Sequence, residues 1–231
     1  LVTGLACFEL YSIVGVERFV FRVAFVLGYL LICWGCFISD FDVVVLLYVC
    51  SALWMIAFFV IAYYPRGSSW LKNKIFAGLT GTLLIAGAAY SVVKIRGLDD
   101  GWFWLFWFFV LTTCVDAGGY FVGRKYGVHP LAVRVSPGKT IEGLVGGALF
   151  AILICGLLSF FFVPESNLGY YMLLPLLFFC VVGDLLESVL KRIHGKKDSG
   201  AILPGHGGLL DRIDSVIPVM TIGAVFLVIA Y

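Results

Sequence analysis

Residues 43–64 read VVVLLYVCSALWMIAFFVIAYY, twenty-two positions without a charge. A segment of that length crosses a bilayer, because about 20 helical residues cover the roughly 30 Å of hydrocarbon and a helix satisfies its own backbone polar groups. Further apolar runs occupy about 19–38, 75–93, 102–122, 141–163, 168–190 and 213–231, with a shorter one at about 1–15. The expected fold is an all-α, polytopic transmembrane helical bundle of about seven full spans plus a partial N-terminal span. The chain reads as a single membrane-embedded domain over 1–231, with its chemistry-bearing residues in the half from about 116 to 231. It starts at Leu1 rather than Met, so the natural N-terminus is expected to lie upstream.

Composition agrees with this reading. The chain is 62% apolar and only 13% charged, which excludes an ordinary soluble domain. A net charge of +2 speaks against nucleic acid as a partner. The seven cysteines, Cys7, Cys33, Cys36, Cys50, Cys114, Cys155 and Cys180, all lie in apolar runs, which argues against a disulfide framework.

Basic residues alternate between connections. Arg18; Arg66, Lys72 and Lys74; Arg124, Lys125, Arg134 and Lys139; and Lys191, Arg192, Lys196, Lys197 and Arg212 fall in every second connection. Lys and Arg are retained on the cytoplasmic side, so these connections are expected to face the cytoplasm. The intervening ones, with Asp40, Asp42, Lys94, Arg96, Asp99, Asp100 and Glu165, carry no basic excess.

Ionisable groups in or beside a span are costly and default to a functional reading. Asp184, Glu187, Ser188 and Lys191 stand at i, i+3, i+4 and i+7, on one helical stripe about 10 Å long. A helix–helix ion-pair stripe without chemistry is the plain alternative. Beyond Lys191 and Arg192 come Lys197-Asp198, His206-Gly207-Gly208 and Asp211-Arg212-Ile213-Asp214. Glycines let backbone N–H groups approach an anion, basic side chains neutralise a polyphosphate, and carboxylates offer hard oxygen ligands to a magnesium-type cation. His206 suits phosphate contact or loop structure better than the role of base, since no His or Cys cluster accompanies it.

The connection 116–140 repeats the pattern with Asp116, Gly118-Gly119, Arg124-Lys125 and Lys139. Ser136-Pro137 reads as an N-cap with Pro at the first helical position, so a helix is expected to begin there with Lys139 and Thr140 in its first turn. Glu142 is either a ligand or a favourable first-turn acid. Gly143 and Gly147 form a G-x-x-x-G suited to close helix packing. Glu9 and Arg22, inside apolar runs, either line the site or snorkel.

The segment Ser188-x-Leu190-Lys191-Arg192, four residues, Lys197-Asp198-x-Gly200, two residues, Leu203-Pro204-x-His206-Gly207-Gly208-Leu209-x-Asp211-Arg212-Ile213-Asp214 resembles the signature of phosphatidate cytidylyltransferases, or CDP-diacylglycerol synthases. Asp116-Ala117-Gly118-Gly119-Tyr120-Phe121-x-Gly123-Arg124 and Ser136-Pro137-Gly138-Lys139-Thr140-Ile141-Glu142-Gly143 are also similar to that family, with Ala117 and Gly138 as departures. The resemblance implies a nucleotidyltransferase that joins CTP to phosphatidate in phospholipid biosynthesis, releasing pyrophosphate. It implies Asp184, Lys191, Asp211 and Asp214 as catalytic residues, with Asp184, Asp211 and Asp214 holding one or two Mg²⁺. It places Asp116, Lys139, Ser188, Arg192, Lys197, His206, Gly207, Gly208 and Arg212 at the substrates.

The expected partners are CTP, phosphatidate and membrane lipid, with a second copy of the chain as a further candidate. A bacterial source would place the protein in the inner (plasma) membrane. The alternatives are a CTP-dependent transferase acting on another lipid phosphate and a cation-coupled transporter. The transporter predicts inverted repeats and charges at the midplane. The sequence has no such repeat, and its charges gather toward one membrane face.

Overall fold

A computed structural model of the chain describes residues 1–38, 43–163, 167–196, 198–200 and 207–230. Asp40, Asp42, Glu165, Lys197 and His206 lie outside the described residues.

The described chain is almost wholly helical. Its helices are α1 (Val2–Ile13), α2 (Phe19–Ile38), α3 (Val43–Ala62), α4 (Lys74–Arg96), α5 (Gly101–Tyr126), α6 (Ile141–Phe162), α7 (Leu168–Ile193), α8 (Leu210–Ile213) and α9 (Val216–Ala230). A 3-10 turn spans Arg66–Lys72, and a hairpin pairs β1 (Pro130–Ala132) with β2 (Ser136–Thr140). Six segments among the described residues are long and apolar enough to cross a membrane, α8 and α9 counting together as Leu210–Ala230. The twenty residues of α2 match the seventh expected span, and the twelve of α1 the partial one.

α9 lies among α3, α4, α5 and α7. Its residues from Ile217 to Ala224 are buried, as are Trp104, Trp107 and Phe108 of α5. The indole of Trp107 donates to the Cys155 carbonyl at 3.1 Å and to Ser159 Oγ at 3.1 Å, so its one polar atom is satisfied inside the bundle.

α5 and α6 approach along glycines. A Cβ at Gly118 would stand 2.9 Å from Gly147 Cα, and one at Gly143 would stand 2.9 Å from the Gly119 carbonyl oxygen. Lipid offers no hydrophobic drive between helices, so close backbone approach supplies the attraction instead. Gly147→Val would press its Cβ onto the Val115 carbonyl. It should destabilise the bundle by about 1–3 kcal/mol through overpacking, read as a lower melting temperature in detergent. Unchanged melting would contradict this contact.

The expected helix start at Ser136 is corrected. Residues 136–140 form β2, and α6 begins at Ile141 with Thr140 as N-cap, its Oγ1 accepting the Gly143 N–H at 3.1 Å. Gly138 disfavours a helix there, while Thr140 caps the apolar run directly. Glu142 accepts the Val128 N–H at 3.1 Å and the His129 N–H at 3.2 Å, and meets His129 Nδ1 at 2.5 Å. It ties the hairpin's entry to α6, and His129, an ordinary loop residue by sequence, is its partner.

Four basic connections come together at one end of the bundle. His194 Nε2 bonds the Leu71 carbonyl at 3.1 Å, Arg192 Nε donates to the Val135 carbonyl at 3.2 Å, and Lys74 Nζ donates to the Gly15 carbonyl at 3.1 Å. Lys196 Nζ donates to the Ser12 carbonyl. Burial lowers the pKa of His194, which favours a neutral ring that donates its Nε2–H.

Candidate active site

The stripe on α7 forms as the spacing requires, and its Lys191 end meets Asp211 of α8. Lys191 Nζ donates to Glu187 Oε2 at 2.8 Å and to Asp211 Oδ1 at 2.6 Å. Glu187 is only 6% exposed, so its charge stands where burial demands a partner. Ser188 is half-buried on the same helix.

Asp211 is bonded on both oxygens. Its Oδ2 accepts the Gly208 N–H at 3.0 Å and the Ser199 N–H at 3.2 Å. Gly207 precedes this turn with φ +83°, a left-handed conformation open to glycine. Asp214 Oδ1 accepts the Ser215 N–H at 2.6 Å, and the Asp214 backbone lies against Gly183, where a side chain would not fit. The close approach brings the start of α9 against the middle of α7, and Lys139, Glu187 and Lys191 all act on the Asp214 carboxylate.

Lys139 of β2 reaches the same place and pairs with Asp184 Oδ2. Burial pushes its pKa below the ordinary lysine value, while Asp214 and Asp116 oppose that shift. Asp116 of α5 also feels Asp214 and Arg212, so Asp116, Lys139, Asp184, Asp214 and Arg212 belong to one electrostatic neighbourhood. Arg192 does not point into it, being bonded to the Val135 carbonyl of the hairpin.

Asp116, Lys139 and Asp184 line a cavity of about 430 Å³, walled also by Arg124, Thr140 and Ser215 with glycines of α5 and α6. A second cavity, of about 520 Å³, lies between α3, α7 and the hairpin and is lined by Phe58, Ile61, Leu131, Val133, Leu177 and Phe178 among others. Leu131, Leu144 and Val181 line both, so the cavity carrying Asp116, Arg124, Lys139 and Asp184 shares a wall with one lined mainly by apolar side chains, Arg134 aside.

Two carboxylates matter more than the sequence reading assigned. Glu187 joins Lys191 to the acidic group. Glu9, left open between lining the site and snorkelling, is 1% exposed and bonded to the Leu210 N–H at 2.7 Å. The signal that could have found it is a lone acid in an apolar helix, which defaults to function. Among the described residues no group of three His, Cys, Asp or Glu side chains is placed to hold one metal ion; ammonium groups of Lys139 and Lys191 lie against the carboxylates instead.

The model of the cytidylyltransferase family matches residues 1–230. The chain belongs to the cytidylyltransferase family. It is 36% identical over 176 residues to a phosphatidate cytidylyltransferase of Haemophilus influenzae, covering 71% of this chain and 61% of that protein. It is 44% identical over 133 residues to one of Bacillus subtilis, covering 55% and 49%, and 45% identical over 131 residues to one of Staphylococcus haemolyticus, covering 54% and 50%. The matches thus span about half to three-fifths of the length of these curated relatives. Family membership accords with the resemblance read from residues 188–214.

Proposed function

We propose that the chain transfers a cytidylyl group from CTP to phosphatidate, giving CDP-diacylglycerol and pyrophosphate. The observation that carries the reading is the shared wall between a chamber lined by charge and one lined by apolar side chains. A nucleotide and a lipid phosphate need such chambers side by side, and the similar proteins bear the name of that activity.

In the reaction a phosphate oxygen of phosphatidate bonds to the α-phosphorus of CTP, and the bond from that phosphorus to the β-phosphate's bridging oxygen breaks, releasing pyrophosphate. The attacking monoester is already anionic near neutral pH, so no side chain need remove a proton. The residues position and neutralise. Lys139, drawn from Asp184 to a phosphate, binds charge in a partly desolvated setting and frees Asp184. Lys191 holds Glu187 and Asp211 in place, while Arg212 neutralises phosphate near Asp116. Leu131, Leu144 and Val181 keep the acyl chains out of the polar chamber.

Buried Glu187 Oε1 lacks a hydrogen-bond partner among the described residues, and Asp214 and Asp211 act on the same carboxylate. In their present arrangement these carboxylates are held by Lys139 and Lys191 and are not grouped around one ion; Asp184, Asp211 and Asp214, an all-oxygen set, would hold a hard divalent cation only once those ammonium groups are drawn away to phosphate. Mg²⁺ bound there would supply Lewis-acid neutralisation of the transferring phosphoryl group. Because the basic connections gather at the site's end of the bundle, the site faces the cytoplasm, of the inner membrane in a bacterial cell.

The test is labelled CTP supplied with phosphatidate, or with a polyprenyl phosphate, to purified protein with and without Mg²⁺. Labelled CDP-diacylglycerol and an equal amount of pyrophosphate, both needing Mg²⁺, are expected. Product from the polyprenyl phosphate alone would overturn the choice of lipid, and no CTP consumption with either lipid would overturn the reaction.

A further inference from the structure

Glu9 lies in α1, a helix otherwise without charge, and α1 packs against α2, α4 and α8. Its carboxylate reaches across the chain to the polar connection between α7 and α8. Oε2 accepts the Leu210 N–H at 2.7 Å and the Ser199 hydroxyl at 3.3 Å, while buried Oε1 has no hydrogen-bond partner among the described residues. The carboxylate fills a slot between two glycines. A Cβ at Gly200 would stand 2.6 Å from Oε1, and one at Gly208 would stand 2.8 Å from Oε2.

The same backbone is held from the other side by Asp211, which takes the Ser199 and Gly208 N–H groups. Two carboxylates, one from each end of the chain, therefore clamp both ends of the connection. A buried acid in an apolar helix is costly unless it is bonded, and a carboxylate's bonds to a backbone N–H and a hydroxyl, here Leu210 and Ser199, are of the stronger kind. No other residue of α1 carries a charge that could substitute.

We infer that Glu9 is a positioning residue: it latches Ser199 and Leu210 together and so sets where Asp211 stands against Lys191 and Glu187. Its effect on turnover rests on the proposed cytidylyl transfer. Its effect on the connection does not.

Three readouts on the purified membrane protein test this: hydrogen exchange over 198–210 without ligands, Mn²⁺ affinity by electron paramagnetic resonance, and CTP turnover. Glu9→Ala should speed exchange at the Gly208 and Leu210 amides and weaken Mn²⁺ binding, each by about tenfold or more. The value of kcat should fall similarly, with little change in KM for phosphatidate. Glu9→Gln keeps an acceptor oxygen for Leu210 and should restore most of each loss. Gly200→Ala leaves the acid in place but pushes it aside, so it should reproduce Glu9→Ala and add little to it in the double variant.

A folded Glu9→Ala protein with wild-type exchange and Mn²⁺ affinity overturns the inference. So does a loss that follows melting temperature alone. If Glu9→Ala does not fold, Gly200→Ala decides by the same readouts. Absence of CTP turnover in the wild type would defeat the proposed function, and the exchange measurement would still judge the latch.

Discussion

Asp184→Asn and Asp214→Asn should each lower cytidylyl transfer by about two to three orders of magnitude, the scale of losing one charge-placing group in a preorganised site. Each keeps the side-chain volume and removes one negative charge. Stability should hold or rise. Lys139 retains Asp214 and Asp116 when Asp184 is neutralised, and an Asn at 214 still accepts the Ser215 N–H. Repulsion among Asp116, Glu187 and Asp214 is relieved in the second variant.

Asp211→Asn should behave differently, losing both activity and about 1–3 kcal/mol of stability. Asp211 accepts from Lys191 Nζ on one oxygen and from the Ser199 and Gly208 N–H groups on the other. An amide would turn its NH₂ group against one of these. Turnover with phosphatidate and CTP, its Mg²⁺ dependence and ligand-free melting, measured for all three variants, would separate the cases. Near-normal turnover in Asp184→Asn would remove that residue from the site, and undiminished melting in Asp211→Asn would contradict its place as a hub.

Lys191→Met should be the most destabilising single change in the polar network. The lysine is the cation between Glu187 and Asp211, and Glu187 is 6% exposed. Removing one partner of a buried ion pair leaves an uncompensated charge and costs about 3–5 kcal/mol. The expected result is a sharply lower melting temperature together with lost turnover. Adding Glu187→Gln should return most of the stability and none of the activity, because the stranded charge is gone while the cation that holds Asp211 in place is still missing. If the double variant melts as low as Lys191→Met alone, the loss comes from packing of the lysine stem, not from the stranded carboxylate. This prediction stands on the geometry of α7 and α8 and holds whichever lipid phosphate is the acceptor.

The positions of the spans were legible in the sequence because the bilayer imposes a length: 19–38, 43–64 and 141–163 became α2, α3 and α6 with shifts of no more than two residues at either end. The i, i+3, i+4, i+7 stripe on α7 was equally legible, since helix geometry alone sets it. Family membership could be read from residues 188–214, whose chemistry lies in local order. The partners of those residues could not. Lipid-facing and core-facing side chains are alike apolar in a membrane bundle, so no periodicity tells which face of a helix meets which neighbour. That Lys139 reaches Asp184 from a hairpin, that Glu9 closes onto Leu210, and that two cavities share Leu131, Leu144 and Val181 were decided only by helix packing, through glycine contacts such as Gly183 against Asp214 that bring distant segments within hydrogen-bond reach.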